Sequence, residues 1–430
     1  MSLADNIGNI GRAIQTRIYR EGVYGRKPRV PVDPRRLSLA ARSAISRRAW
    51  NYLQGSAGTE STAAANRTAF ERHRIVPSML RDVSSRNLGI ELFGRAVPAP
   101  LFLSPIGVLE LVHRHGDLAV ARAAASTGVP VTLSTQASYS MERVAEVAPD
   151  AVRWFQLYWS SDDDLVTSML RRAEESGCEA IVITLDTHVL GWRPRDLDAG
   201  FLPFAHGQGI AQYTADPVFA SLVRRRAERP ASSPAPTPTP QALRALWSMS
   251  RNHPGSLLAN LRSPYPRAAV ETFLDVFSRS SLTWAELDFV RQRTNLPIVL
   301  KGLQHVEDAR RALDAGVDGI LVSNHGGRQI DGALGALDAL PGIVAEVDDR
   351  IPVLFDSGIR TGADACKALA LGATAAGIGR PYAYGLAAGG AEGVRTVLEH
   401  LVAELDITMA LAGIAEPAEL EPGLLRPVHG

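Results

Sequence analysis

From about residue 99 the chain alternates short, near-continuous apolar runs with stretches of helical period. The apolar runs are "APLFLSPIG", "VPVTLST", "VRWFQLYW", "AIVITLDT", "LPIVLKG", "GILVSNHGG", "IPVLFDSG" and "AAGIGRP". They are rich in β-branched residues and do not alternate with polar ones. That pattern predicts strands covered on both faces, as in a parallel sheet. Between them, "DLAVARAAASTG", "SMERVAEVA", "DLVTSMLRRAEESG", "TWAELDFVRQRT", "VEDARRALDAG" and "GADACKALALG" read as helices, several of them ending on glycine.

Eight strands with intervening helices predict an α/β fold, a (β/α)8 barrel, over an open doubly wound sheet. The closing "GIGRP" favours the barrel, because barrels often hold phosphate at the ends of strands seven and eight. Residues 1–98 precede the first strand and contain the helix-like "AISRRAWNYLQGSAG". They are expected to form an N-terminal helical segment packed on a barrel of residues 99–415, with residues 416–430 as a C-terminal tail. Residues 188–282 form a long insertion between the fourth strand and its helix. Its "RPASSPAPTPTPQ" is too rich in Pro, Ser and Thr for a regular element, so the region near 225–245 is expected to be mobile and dispensable for folding.

Composition narrows the partners. The chain has 430 residues, 46% of them hydrophobic, which is ample for a large core. Lys plus Arg number 46 against 45 Asp plus Glu, a formal net charge of +1, which gives no reason to expect nucleic acid or a membrane surface. The two cysteines, Cys178 and Cys366, sit in no metal-ligand spacing, and both fall in helix-like segments where a buried small apolar side chain is expected. Neither an apolar leader nor a long apolar run stands out, so the expected location is the cytoplasm.

In a barrel the reacting groups stand at the C-terminal ends of the strands. Those ends carry Pro105 and Gly107, Ser134, Gln156 and Tyr158, Thr184 and Asp186, Lys301, Ser323 with His325 and Arg328, Asp356 with Gly358 and Arg360, and Gly379 with Arg380. Packing alone does not explain so many polar groups on one rim. A histidine there suits proton transfer near neutrality, and an arginine offers a planar fork to a carboxylate. A GxGxxG fingerprint between a strand and a helix is absent, which disfavours a nicotinamide-binding domain.

Taken together, "SNHGGRQ", "FDSGIRTGAD", "GIGRP", "FQLYW", "LPIVLKG" and "TLDT" followed by "LGWRPRD" resemble the FMN-dependent α-hydroxy-acid oxidising enzymes. The likeness runs from about Ile18 to residue 415, apart from the proline-rich stretch. Within that family the lactate 2-monooxygenase subgroup is the nearest likeness, through "APLFLSPIGV", "IGRPYAYG" and "IYREGVYG". The resemblance implies FMN as cofactor and oxidation of a small (S)-2-hydroxy acid, such as lactate, to the 2-oxo acid. Oxygen is the implied acceptor, with oxidative decarboxylation as in a monooxygenase. A peroxide-releasing oxidase and a dehydrogenase with another acceptor are the alternatives. It also implies a homo-oligomer, tetramer or octamer.

By the same resemblance His325 is the base, Asp186 its supporting carboxylate, and Tyr158 a tyrosine near the substrate hydroxyl. Tyr52, Arg193 and Arg328 hold the substrate carboxylate. Pro105, Ile106 and Gly107 through their backbone, with Ser134, Gln156, Thr184 and Ser323, line the flavin rim. Lys301 sits near flavin N1 and O2, and Asp356 takes the ribityl hydroxyls. The amides of Gly358, Ile359, Gly379 and Arg380, with the Arg360 and Arg380 side chains, hold the phosphate. Three departures stand out. Gln136 replaces a tryptophan that glycolate oxidase carries beside the substrate, Ser357 stands where many relatives have glycine, and His188 follows "LDT" where relatives carry other residues. Gly107 stands where many oxidases have alanine, while the monooxygenase subgroup has glycine. Non-redox isomerase barrels share the phosphate end but not the arginines paired with His325.

Overall fold

A computed structural model describes residues 9–228 and 239–428. Eight parallel strands close a barrel: β1 (Leu101–Leu103), β2 (Val131–Leu133), β3 (Arg153–Leu157), β4 (Ala180–Thr184), β5 (Ile298–Leu303), β6 (Gly319–Val322), β7 (Val353–Phe355) and β8 (Ala375–Ile378). Each lies in one of the eight apolar runs. Closure is made by β8 on β1, with Ile378 opposite Leu103. The strands are buried on both faces because helices cover their outer side and Phe102, Trp154, Val182, Val299, Leu321 and Leu354 fill the interior.

The N-terminal mouth of the barrel is plugged by a hairpin, Ile90–Leu92 with Arg95–Val97. Its tip, Phe93, packs edge-on against Trp154 at 5.5 Å between ring centroids. The opposite, C-terminal mouth stays open to receive side chains.

The barrel helices start where their sequences supply caps. Ser140, Asp162 and Thr361 each accept a backbone N–H from the first turn of Met141–Val147, Asp163–Glu175 and Gly362–Ala370. The N-terminal segment forms four helices, Ile10–Val23, Pro34–Ala44, Arg47–Gln54 and Ser61–Glu71. The first two pack on the long final helix, Arg380–Ala412. The C-terminal tail adds one short strand. Leu425–Pro427 pairs antiparallel with His73–Ile75.

Three further details differ from the sequence reading. The region near 225–245 is helical at both edges, in Pro217–Ala227 and Pro240–Asn252. Thr239 caps the second helix and Pro240 opens it, a favourable first position that outweighs the proline-rich composition. Residues 229–238, the centre of that stretch, lie outside the described residues. Cys178 sits in the turn before β4 rather than in a helix, while Cys366 is helical, and both are buried. The stretch "TWAELDFVRQRT" divides into a 3-10 turn, Trp284–Glu286, and a short helix, Leu287–Arg291. Among the described residues no helix is long and apolar enough to cross a membrane.

Candidate active site

The open mouth of the barrel holds a cavity of about 950 Å³ including its solvent-open part, lined from every strand end and from Tyr52 and Leu53 of the N-terminal segment. Its centre is a dyad. His325 Nδ1 lies 2.8 Å from Asp186 Oδ1. The Thr187 hydroxyl donates to the same oxygen at 2.9 Å and lies 3.3 Å from the ring nitrogen. Tyr158 Oη is 3.5 Å from His325 Nε2, at the outer limit of a hydrogen bond. With Nδ1 turned to a carboxylate, the proton of a neutral ring belongs on Nδ1 and the lone pair on Nε2 faces the cavity.

The loop after β6 makes this possible. His325 has φ +57°, a left-handed conformation that is strained for most residues. Ser323 Oγ accepts the His325 amide, and Ser357 Oγ accepts the Gly326 amide. Asn324 and Asn66 exchange two side-chain hydrogen bonds of 2.8 Å, so the loop is tied to the helix Ser61–Glu71.

Lys301 is only 2% exposed. Its Nζ bonds Ser323 Oγ at 2.9 Å and stands 3.7 Å from Asp186 Oδ2 and 3.8 Å from Asp356 Oδ2. Burial works against its charge, but Asp356 and Asp186 outweigh burial and raise its pKa, so it stays protonated. For Asp186 burial pushes upward, yet His325 and then Lys301 hold it well below the usual carboxylate range. Burial lowers the His325 pKa, and Asp186 opposes only part of that. The imidazole pKa therefore lies below the ordinary histidine value. Next to Lys301 the β5–β6 register shifts, and Gly302 takes φ +107°. A Cβ there would sit 3.0 Å from Asp186 Oδ2, so only glycine lets the carboxylate lie against the strand.

The guanidinium groups form a second cluster. The Arg328 guanidinium carbon lies 5.3 Å from the Tyr52 ring centroid, and the group donates to the Gly55 carbonyl. Burial, then Arg193 and Arg380, lower its pKa, Tyr52 and Asp196 oppose them only in part, and no carboxylate among the described residues lies within ion-pairing distance. Arg193 donates to the Arg328 carbonyl at 3.2 Å and to Gln329 Oε1 at 2.9 Å. Arg195 instead pairs with Glu60 at 2.6 Å.

At the ends of β7 and β8, Ser357 and Gly358 have φ +85° and +103° in succession. This turns backbone N–H groups into a concavity suited to an anion. The Arg360 side chain donates only to its own Ile359 carbonyl among the described residues, and burial, with Arg380 and Arg67 adding to it, pushes it down to about 10. Arg380 differs from the expectation that both side chains are free for a phosphate. Its donors reach the carbonyls of Leu53, Gln54, Gly55 and Gly326 and the Ser56 hydroxyl, at 3.1–3.4 Å. Deeper in, Ser104 Oγ and Gln156 Oε1 are buried without a partner among the described residues. Gln156 Nε2 is taken by Thr184 Oγ1 at 3.0 Å. Unpartnered rim atoms, an anion-ready turn and a half-buried guanidinium without an ion pair among the described residues fit a group with a heteroaromatic edge and a phosphate, which is what FMN offers.

Thus His325, Tyr158, Tyr52, Arg193, Arg328 and Lys301 converge on one cavity, as do Pro105, Ile106, Gly107, Ser134, Asp356, Gly358 and Gly379, while Asp186 stands behind His325 and reaches the cavity through it. Thr184 and Ser323 reach it through Gln156 and Lys301 rather than directly. Sequence reasoning missed Thr187, Gln329 and the Asn66–Asn324 pair. Gln329 ties Arg193 to the backbone carbonyls of Asp186 and Val189. Its only signal was its place directly after Arg328.

The family described as FMN-dependent dehydrogenase matches residues 41–427. An FMN-dependent alpha-hydroxy acid dehydrogenase of Penicillium citrinum is 41% identical over 96% of this chain and 95% of its own. An L-lactate oxidase of Lysinibacillus sphaericus is 43% identical over 85% of this chain and 84% of its own. Among solved structures, a mandelate oxidase with (S)-4-hydroxymandelic acid matches with a TM-score of 0.76 and 39% identity, covering 93% of this chain and 99% of the other.

Proposed function

The chain belongs to the FMN-dependent dehydrogenase family, and from that premise we propose that it oxidises an (S)-2-hydroxy acid with oxygen as acceptor and keeps the 2-oxo acid for oxidative decarboxylation. The oxidation of 2-hydroxy acids is the family's common ground. The observation that carries its assignment to this cavity is the His325–Asp186 dyad facing two guanidiniums, Arg328 and Arg193, that line the same cavity.

Arg328 and Arg193 bind the substrate carboxylate from two sides, and Tyr52 adds its hydroxyl. His325 Nε2 accepts a proton from the substrate. Asp186 stabilises the imidazolium so formed, and Thr187 keeps the carboxylate turned to Nδ1. Tyr158 orients the substrate hydroxyl toward the base. Bound FMN supplies the two-electron acceptor. Lys301 holds a fixed positive charge at the flavin rim. Gly358, Ile359 and Gly379 hold the phosphate through their amides, and Arg360 neutralises it. Arg380 keeps the Tyr52 segment against the site.

This assignment fixes a pH dependence. The base must be unprotonated, and its pKa lies below the ordinary histidine value. The second-order rate of anaerobic flavin bleaching should be level near neutrality and fall only as pH drops through that lowered pKa. In Asp186→Asn the charge that raises His325 is gone, so the acid limb should move to still lower pH while the plateau falls. A limb that stays in place in a stopped-flow pH profile would break the assignment of Asp186.

Retention of the oxo acid is supported by the roof over β1 and β2. Gly209 and Ala211 of the insertion bond Glu110 and the Ala137 carbonyl, at 3.1 and 3.2 Å. Gly107 borders the same end. An added methyl at Gly107 would lie 3.0 Å from Gln136 Cβ, not in open space. Gly107→Ala should therefore displace Gln136 at a cost of about 1–3 kcal/mol, retain bleaching, and shift products toward free 2-oxo acid and peroxide. Product analysis without catalase checks this. If the parent enzyme already releases stoichiometric peroxide and no shortened acid, it is a simple oxidase, the second reading, which the relative named L-lactate oxidase favours.

A further inference from the structure

Gln136 follows β2 and is 7% exposed. Its backbone is fully engaged. The amide donates to Ser134 Oγ at 3.0 Å, and the carbonyl accepts the Val108 amide at 2.8 Å. The insertion presses on it from outside, since a Cβ on Gly209 would lie 3.1 Å from the Gln136 carbonyl. Its carboxamide, by contrast, has no hydrogen bond among the described residues and faces the cavity. The residue is buried, but its amide atoms are not among the fully buried unpartnered ones, so its two donors and its acceptor are open to the cavity and to whatever fills it. Desolvating it against an apolar ligand would cost free energy that a hydrogen-bonding ligand group would return.

The charge around the cavity is uneven. The cations that line it, Arg193, Lys301, Arg328, Arg360 and Arg380, all follow β4 to β8. Behind the β1 and β2 ends lie carboxylates instead. Glu110 accepts the Gly209 amide and Asp117 the Ser138 amide, and burial raises both, Asp117 to about 7. A second carboxylate on the substrate would find no cation among the residues that line the cavity at this end. An apolar side chain would leave the amide unmet.

We infer that the Gln136 carboxamide determines specificity for the substrate side chain, and that the preferred substrate is a 2-hydroxy acid whose side chain carries a neutral hydrogen-bonding group such as a hydroxyl. The inference rests on the reading that 2-hydroxy acids are oxidised in this cavity. A site built to hydrogen-bond a hydroxyl discriminates strongly against the analogue that lacks it.

Two acids of matched shape test this with the flavin-loaded enzyme. (S)-2,3-dihydroxypropanoate and (S)-2-hydroxybutanoate differ in a hydroxyl against a methyl. In anaerobic stopped-flow bleaching the wild type should favour the dihydroxy acid by at least about tenfold in second-order rate. Gln136→Leu should bring that ratio to one or below. A wild-type ratio of one or less overturns the inference, and so does a ratio that survives in Gln136→Leu. Loss of FMN from Gln136→Leu, read as released flavin fluorescence, with the ratio unchanged would assign the amide to the cofactor and also overturn it. Absence of bleaching by these two acids and by lactate and glycolate would instead defeat the parent reading. The wild-type ratio decides even if the variant fails to fold.

Discussion

His325→Gln is expected to purify yellow, with FMN bound, and to lose anaerobic bleaching by about 10²–10⁴-fold, the usual contribution of a positioned base. The flavin contacts argued above do not involve the imidazole, so cofactor retention and loss of reduction should separate cleanly. Glutamine still offers an amide to Asp186 but has no basic nitrogen to face the substrate. Its longer side chain is less tolerant of the left-handed φ of +57° than histidine. His325→Asn, which suits that conformation, is the companion variant. Both should behave alike if chemistry rather than backbone strain is responsible. Near-normal bleaching in either one removes His325 from the role of base.

Arg328→Lys is expected to weaken substrate binding by about 2–5 kcal/mol, roughly 30- to 5,000-fold, although the charge is kept. The guanidinium does three things at once. It reaches the Gly55 carbonyl, lies over Tyr52, and presents a fork to the cavity. An ammonium is a point donor and cannot serve two acceptors in one plane. The lost contact with Gly55 also loosens the segment that carries Tyr52, so the variant should fail in affinity before it fails in flavin binding. Titration with a 2-oxo acid, followed by flavin absorbance, measures this. An unchanged dissociation constant would show that the carboxylate is held elsewhere.

How much of this was legible beforehand follows from where the information lies. The eight strands were readable because burial on both faces writes itself locally, as continuous runs such as "AIVIT" and "GILV". The dyad and the arginines were readable through motifs at strand ends. What joins those ends was not. Asn66 meets Asn324, and Asp331 accepts from Thr59 and Ser61, between segments more than 250 residues apart. No local spacing encodes such pairs. The Arg380 side chain was assigned by motif alone, and its direction is set by carbonyls of residues 53–55 that no motif includes. Gln136 stood out as a departure in sequence, but its unmet amide exists only in three dimensions.

The pairing of Leu425–Pro427 with His73–Ile75 bears on how the protein is made. The ribosome delivers the second strand of that pair roughly 350 residues after the first, or about 20–70 s later at ordinary elongation rates. The barrel has the same dependence, since β1 must wait for β8 to be hydrogen-bonded on its open edge. During that interval β1 is an exposed, wholly apolar strand with an unpaired edge, a site prone to aggregation. The hairpin with Phe93 and the N-terminal helices are already synthesised by then. They can shelter that edge, whereas the ends of β7 and β8, to which the phosphate is assigned in the proposal above, do not yet exist. Flavin capture is therefore a late event, and fast translation or low temperature should change soluble yield more than they change the specific activity of the molecules that fold.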